Sequence, residues 1–130
     1  MQNFQRESST FFTKVVEAAL DSGNDFVISV NGGSMAPTIV RGDRLHGRIL
    51  KGVPHLGEIV LCRDIGKKWL IHRVVAVTPW IRTKGDALSE EDLPIEEVAA
   101  VIYRIEKTLL SRLRRTKLKF KQLLISVILK

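Results

Sequence analysis

The chain has 130 residues, of which 45% are hydrophobic and 27% charged, and this composition is ordinary for one soluble globular domain. No run approaches the roughly 18 to 20 apolar residues that cross a bilayer. Residues 1–7 also lack the basic and then apolar layout of a secretion signal. We therefore expect neither a signal peptide nor a membrane-spanning segment.

The net charge of +7 belongs to one end of the chain. Residues 104–130 hold nine Lys or Arg and one acidic residue, a net charge of +8. Residues 1–103 hold twelve Lys or Arg and thirteen acidic residues, a net charge of −1. The single cysteine, Cys62, cannot form an internal disulfide, which favours a reducing compartment and a cytoplasmic location. Because Cys62 ends an apolar run, we expect it to be a small core residue and not a nucleophile.

The first predicted element is an amphipathic helix over residues 9–22, with Ser8 or Ser9 as its cap and Gly23 as its stop. Short β-like runs then follow, separated by connections that contain glycine or proline. These runs cover residues 25–30, 44–50, 58–63, 69–78, 80–84 and 98–105.

These elements divide the chain into three parts and predict a mainly β (α+β) fold. Residues 1–24 are expected to form an N-terminal helix packed on the domain, and residues 25–106 a compact β-rich domain. Residues 107–130 are expected to form a basic amphipathic tail. Leucines interleaved with Lys and Arg indicate a helix there, without one clean apolar stripe.

A serine is presented on a turn in the run Gly-Gly-Ser-Met-Ala-Pro-Thr at residues 32–38. Gly33 has no side chain, so a substrate backbone could approach Ser34 closely. Pro37 stiffens the exit from the turn. Most serines in such a setting are only turn residues, so any catalytic interpretation depends on residues farther along the chain.

A serine hydroxyl is a weak nucleophile until a base takes its proton. His72 lies in the strand pattern Trp-Leu-Ile-His-Arg-Val-Val, where apolar neighbours would fix the imidazole and keep it neutral. A carboxylate in the following loop, Asp86 or Asp92, would complete a triad by fixing the tautomer of the histidine. Taken singly, these residues are ordinary for a core histidine and for solvated loop acids.

The order of the motifs resembles the type I signal peptidases and their soluble relatives. Over residues 26–105 the chain reads Gly-Ser-Met-x-Pro-Thr, Gly-Asp, Gly-Glu-Ile-Val, His-Arg-Val, Thr-Lys-Gly-Asp and then an aspartate. The resemblance implies a β-rich fold and a serine endopeptidase that uses no metal or other cofactor. It also implies a peptide or protein precursor as substrate, cleaved at small residues.

The resemblance assigns Ser34 to the nucleophile, with the backbone at Gly33 and Ser34 lining the oxyanion site. A lysine is the base in the common bacterial branch, and His72 stands at that place here. This is similar to the branch of archaea, the endoplasmic reticulum and some sporulating bacteria, which uses Ser-His-Asp. That branch implies Asp92 as the third member, and Asp86 as the alternative or a structural partner.

Two alternatives remain open at the level of sequence. A catalytically degenerate module of the same fold would bind peptides or partners without needing Ser34. It is favoured by Gly32, because many relatives carry at that position a serine that serves as a second oxyanion donor. A self-cleaving peptidase of the SOS-repressor type depends on a lysine base, and His72 argues against it.

The basic tail has three interpretations: a solvated or packed helix, an interfacial helix on anionic lipids, or a nucleic-acid contact. The apolar run at residues 123–129 favours a membrane or a partner protein over nucleic acid. A tail docked in this way would attach the protein peripherally. The candidate contact residues are Arg112, Arg114, Arg115, Lys117, Lys119 and Lys121.

Overall fold

In the part of the chain that the computed structural model describes (the backbone of residues 2–128 and the side chains of residues 10–119 and 121), six strands form one antiparallel sheet. A helix lies at each end of the sequence. The predicted mainly β (α+β) fold is confirmed. The elements are α1 (Gln2–Asp21), β1 (Phe26–Ser29), β2 (Arg44–Ile49), β3 (Ile59–Asp64), β4 (Trp69–Ala76), β5 (Arg82–Lys84), β6 (Ile95–Glu106) and α2 (Leu109–Ile128).

The strand order across the sheet is β1-β2-β6-β3-β4-β5. The long strand β6 returns from the far edge and inserts between β2 and β3, so that both pair with it. Strand β3 is buried along nearly its whole length, as expected for a strand in the middle of a sheet that is covered on both faces. Strand β4 follows it and carries His72.

Alternate residues of β3 enter two apolar clusters on opposite faces of the sheet. The larger cluster includes Leu61 and is covered by α1, whose Val16 is fully buried there. The smaller cluster contains Val60 and Cys62. Burial raises the pKa of the Cys62 thiol to about 12, so this cysteine is the inert core residue that the sequence predicted.

Several element boundaries differ from the sequence-based prediction, most of all the start of α1. Helix α1 begins at Gln2, so a cap at Ser8 or Ser9 is wrong, because no glycine or proline interrupts the preceding residues. Strand β5 omits Trp80 and Ile81, and β6 begins three residues earlier than predicted, since Ile95 pairs with Asp64. The predicted helix stop is confirmed: Gly23 has φ +70° and its N–H donates to the Leu20 carbonyl.

Helix α2 is attached to the domain at its first turn. Thr108 and Ser111 cap each other, each backbone N–H donating to the hydroxyl of the other at 2.8 and 3.2 Å. The Thr108 hydroxyl also donates to the Gly42 carbonyl. One turn further along, the Arg115 guanidinium binds both carboxylate oxygens of Asp43 at 2.8 and 2.5 Å.

The contact between Arg115 and Asp43 corrects the expectation for one tail residue. Arg115 is committed to the domain and is not available to a membrane or partner, since its guanidinium also donates to the Thr38 carbonyl. Burial acts to raise the pKa of Asp43, but hydrogen bonds from Arg115, Val40 and Ser111 hold it below its ordinary value. The apolar run at residues 123–129 lies outside the described side chains. No helix within the described residues is long and apolar enough to cross a membrane.

We expect Arg115→Ala to lower the free energy of unfolding by about 3–5 kcal/mol, because it leaves the fully buried Asp43 carboxylate without its counter-charge. Urea denaturation followed by circular dichroism measures this change. The control is Arg112→Ala on the same helix, whose exposed side chain has no ion pair among the described residues; a change within about 0.5 kcal/mol is expected there. Equal effects of the two substitutions would contradict the assignment.

Candidate active site

Ser34 begins a turn over residues 34–38 that follows β1. The Ala36 N–H donates to the Gly33 carbonyl at 3.1 Å, and the Ile39 N–H donates to the Met35 carbonyl at 2.9 Å. The buried side chains of Met35 and Ile39 fix this turn to the larger core cluster. Ser34 itself is half-buried, and a side chain added at Gly33 would meet no atom within 4 Å. The turn is therefore packed against the core through Met35 and Ile39, and it has open space at Gly33.

Three side chains that are distant in sequence form one hydrogen-bonded chain. His72 Nε2 lies 3.0 Å from Ser34 Oγ, and His72 Nδ1 lies 2.6 Å from Asp92 Oδ2. The side chains of His72 and Asp92 are only 5% and 9% exposed. With Asp92 accepting the Nδ1 proton, the Nε2 lone pair faces the serine hydroxyl, which is the arrangement a general base requires.

The sheet register and one threonine explain where His72 and Asp92 lie. His72 pairs with Val60 and, by alternation along β4, faces the same side of the sheet as the smaller cluster. The Thr83 hydroxyl donates to Asp92 Oδ2 at 2.7 Å, and the Asp92 N–H donates to the Thr83 carbonyl at 2.9 Å. Sequence reasoning gave Thr83 no role, although it stands in the Thr-Lys-Gly-Asp motif.

The second candidate acid, Asp86, has a different set of partners. Arg73 binds both of its carboxylate oxygens at 2.8 Å, and the Thr38 hydroxyl donates to Oδ2 at 2.7 Å. The hydrogen bonds from Arg73 hold the pKa of Asp86 below its ordinary value, against the opposing effect of burial. Asp86 is therefore a structural partner of Arg73 and Thr38, which is one of the two roles that the sequence left open for it. Asp92 is the acid beside His72.

The loop after β5 also holds the backbone of the serine. The Ala87 N–H donates to the Ser34 carbonyl at 2.9 Å. A Cβ atom at Gly85 would lie 2.6 Å from that same carbonyl oxygen, so only glycine allows this close approach. The sequence showed Gly85 only as part of the Thr-Lys-Gly-Asp motif and did not predict this contact.

A cleft of about 360 Å³ is lined in part by the residues around the serine turn, Gly33 and Ala36 among them, although Ser34 itself does not line it. Gly32 and Gly33 line one part of it, and three of the predicted contact residues of the tail, Arg114, Lys117 and Lys121, line another. Arg112 and Lys119 are exposed on α2 and do not line it. The structure thus divides the tail cations into those that line the cleft, those that are exposed elsewhere on α2, and Arg115, which binds Asp43.

Within the described residues, no group of three or more His, Cys, Asp or Glu side chains could hold a metal ion. A comparison with known protein families finds no family model that matches this chain, and a comparison with curated proteins finds no match either. A serine hydroxyl, an imidazole and a carboxylate in this order can generate an alkoxide-like nucleophile near neutral pH.

We expect Gly85→Ala to lower the free energy of unfolding by about 1–3 kcal/mol, because the added methyl group collides with the Ser34 carbonyl oxygen, a backbone atom that cannot rotate away. Gly32→Ala is the matched control, since a Cβ atom there has open space and no loss of stability is expected. Urea denaturation of both variants is the measurement. If Gly85→Ala is as stable as the control, the close approach is not a constraint.

Proposed function

We propose that this protein is a serine endopeptidase of the signal-peptidase type, which cleaves a specific peptide or protein precursor. The proposal is supported above all by the continuous hydrogen-bonded chain from Ser34 through His72 to Asp92. Its members come from a turn, a strand and a loop, and they stand in the same order as in the family that the motifs resemble. A Cβ atom at Gly33 would meet nothing within 4 Å, which leaves room for an extended peptide next to the serine.

In the proposed reaction, Ser34 Oγ attacks the scissile carbonyl carbon while His72 Nε2 takes the hydroxyl proton. Asp92 stabilises the imidazolium that forms, and the backbone N–H of Ser34 donates to the oxyanion. His72 then gives its proton to the leaving amine, which breaks the peptide bond and leaves an acyl-enzyme. Water activated by the same histidine hydrolyses the ester and restores the serine.

We also propose a cytoplasmic location, because the single cysteine of the chain is a buried free thiol. Peripheral attachment to a membrane or partner through the remaining exposed tail cations is compatible with this location. These side chains, Arg112 and Lys119 among them, lie on the surface of α2. Attachment is a property separate from catalysis.

We expect the wild-type protein to cleave members of a diverse peptide pool at small residues, and Ser34→Ala to cleave none. His72→Ala and Asp92→Asn should each lower kcat by at least about 10³-fold, since the general base is then absent or held in the wrong tautomer. Mass spectrometry of the pool measures both the activity and the cleavage site.

The controls are Ser22→Ala and His55→Ala, which remove an exposed serine and an exposed histidine far from the triad in sequence. Both should retain wild-type activity. If cleavage does not depend on Ser34, with each variant folded and lipid vesicles present, the endopeptidase proposal fails. The peptide-binding module of the same fold would then take its place.

We expect Gly32→Ser to raise kcat by up to about tenfold, because the hydroxyl would supply the second oxyanion donor that many members of the resembled family carry at this position. The structure has room for the side chain, since a Cβ atom there meets nothing within 4 Å. Gly32→Ala adds the Cβ atom without the hydroxyl and is the control. A gain that is the same in both variants would show that the hydroxyl does not reach the oxyanion.

A further inference from the structure

We propose that the cleft lined by Gly33 and Ala36, the neighbours of Ser34 in the serine turn, binds an acidic side chain of the substrate, within about three residues of the scissile bond. This inference rests on the proposed function and adds a specificity to it. It gives part of the basic tail a role in substrate selection. We define the cationic row as Arg41, Arg114, Lys117 and Lys121, which line the cleft together.

The cationic row is built by the periodicity of α2. Arg114, Lys117 and Lys121 are spaced at i, i+3 and i+7, so they lie along one face of the helix. At a rise of about 1.5 Å per residue the three positions cover about 10 Å of the helix axis. Leu118, on the same face, contributes an apolar side chain to the lining.

The cations of the row have no ion-pair partner among the side chains that the structure describes. This differs from the arginines of the sheet, since Arg73 and Arg48 each bind a carboxylate. It differs also from Arg115, the immediate neighbour of Arg114, which binds Asp43. None of the residues lining the cleft is acidic. Like charges that face one cleft repel each other, and an anion that enters the cleft relieves this repulsion.

The row has a fixed position relative to the nucleophile. Arg115 ties α2 to Asp43 and to the Thr38 carbonyl, and Thr38 belongs to the turn that Ser34 begins. The Thr108 hydroxyl ties the start of the helix to the Gly42 carbonyl. The cleft therefore lies between two elements that are hydrogen-bonded to each other, and its cations are presented to a ligand without a large rearrangement.

A peptide side chain fits this position better than a lipid surface does. The wall of the cleft includes Gly33, whose Cα atom is about 3.8 Å from that of Ser34. An extended peptide advances about 3.3 Å per residue, so about three substrate residues lie along the 10 Å of the row. Carboxylates accept paired hydrogen bonds from Arg and single charged bonds from Lys. Asp and Glu are therefore the side chains that this cleft is suited to bind.

The first test measures binding in the Ser34→Ala protein, where cleavage cannot interfere. The probes are short alanine-rich peptides that carry either two adjacent Glu residues or two adjacent Gln residues. We expect the Glu peptide to shift the NMR amide signals of Gly32, Gly33 and Lys117, and the Gln peptide to bind at least about tenfold more weakly. Equal binding of the two peptides, or shifts elsewhere on the surface, would overturn the proposal.

The second test reverses charge at the row. Lys117→Glu with Lys121→Glu should lower the affinity for the Glu peptide at least about tenfold and leave the Gln peptide unaffected. Arg112→Glu with Lys119→Glu is the matched control, because it makes the same change of charge on the same helix outside the cleft. Equal losses in the two double variants would mean that only the net charge matters, and the proposal would fail.

The two proposals are distinguished by a third measurement, the ratio of kcat/KM for an acidic and a neutral version of a cleaved peptide. A ratio that falls at least about tenfold in the Lys117 and Lys121 double variant supports both proposals. Cleavage with no acidic preference keeps the endopeptidase and rejects the acidic site. Charge-dependent binding without cleavage supports the site and rejects the endopeptidase. Loss of binding to phosphatidylserine vesicles in that variant, without any peptide preference, would reject the site and assign the row to a membrane.

Discussion

The candidate site depends on the carboxylate of Asp86. It binds the Thr38 hydroxyl, which belongs to the serine turn, and the Arg73 guanidinium, which follows His72 on β4. The backbone N–H of Asp86 donates to Sδ of Met35, the residue after Ser34. One partly buried, charge-assisted cluster thus joins the segments that carry Ser34 and His72. Asp86 itself lies in the loop that leads to Asp92.

A second ion pair supports the same turn from its other end. Arg115 binds Asp43 and also the Thr38 carbonyl, so Thr38 is held by its side chain on one side and by its backbone on the other. Each anchor unites a buried or partly buried carboxylate with a bidentate guanidinium, a geometry that a lysine cannot reproduce. The turn is accordingly fixed in two directions, while its front at Gly33 stays open.

Alternation is a local signal, and it predicted the strands. Ser34 and His72, with Asp92 ahead of Asp86, were predicted through the resemblance of the motifs. The residues alone could not choose between Asp86 and Asp92, since both lie in the same loop and only the partners across β4 and β5 distinguish them. The contact between Arg115 and Asp43 joins residues 72 positions apart, and no periodicity reveals such a partner. The start of α1 was predicted wrongly because residues 2–8 are mostly polar and do not extend the apolar pattern. They contain no glycine or proline that would end a helix, so the helix includes them.

The energetics of the buried pair bear on the choice between an enzyme and a binding module. Burying a carboxylate and an imidazole costs desolvation energy that their mutual hydrogen bond only partly offsets, and apolar residues of the same volume would stabilise the fold as well or better. A module that only binds peptides has no need of His72 and Asp92 in this form. The four cations of the row are exposed, so their mutual repulsion in the absence of an anion is screened by water and is a smaller cost. Both features would serve a peptidase: the buried pair would activate the Ser34 hydroxyl, and the row would hold an acidic substrate at the proposed site.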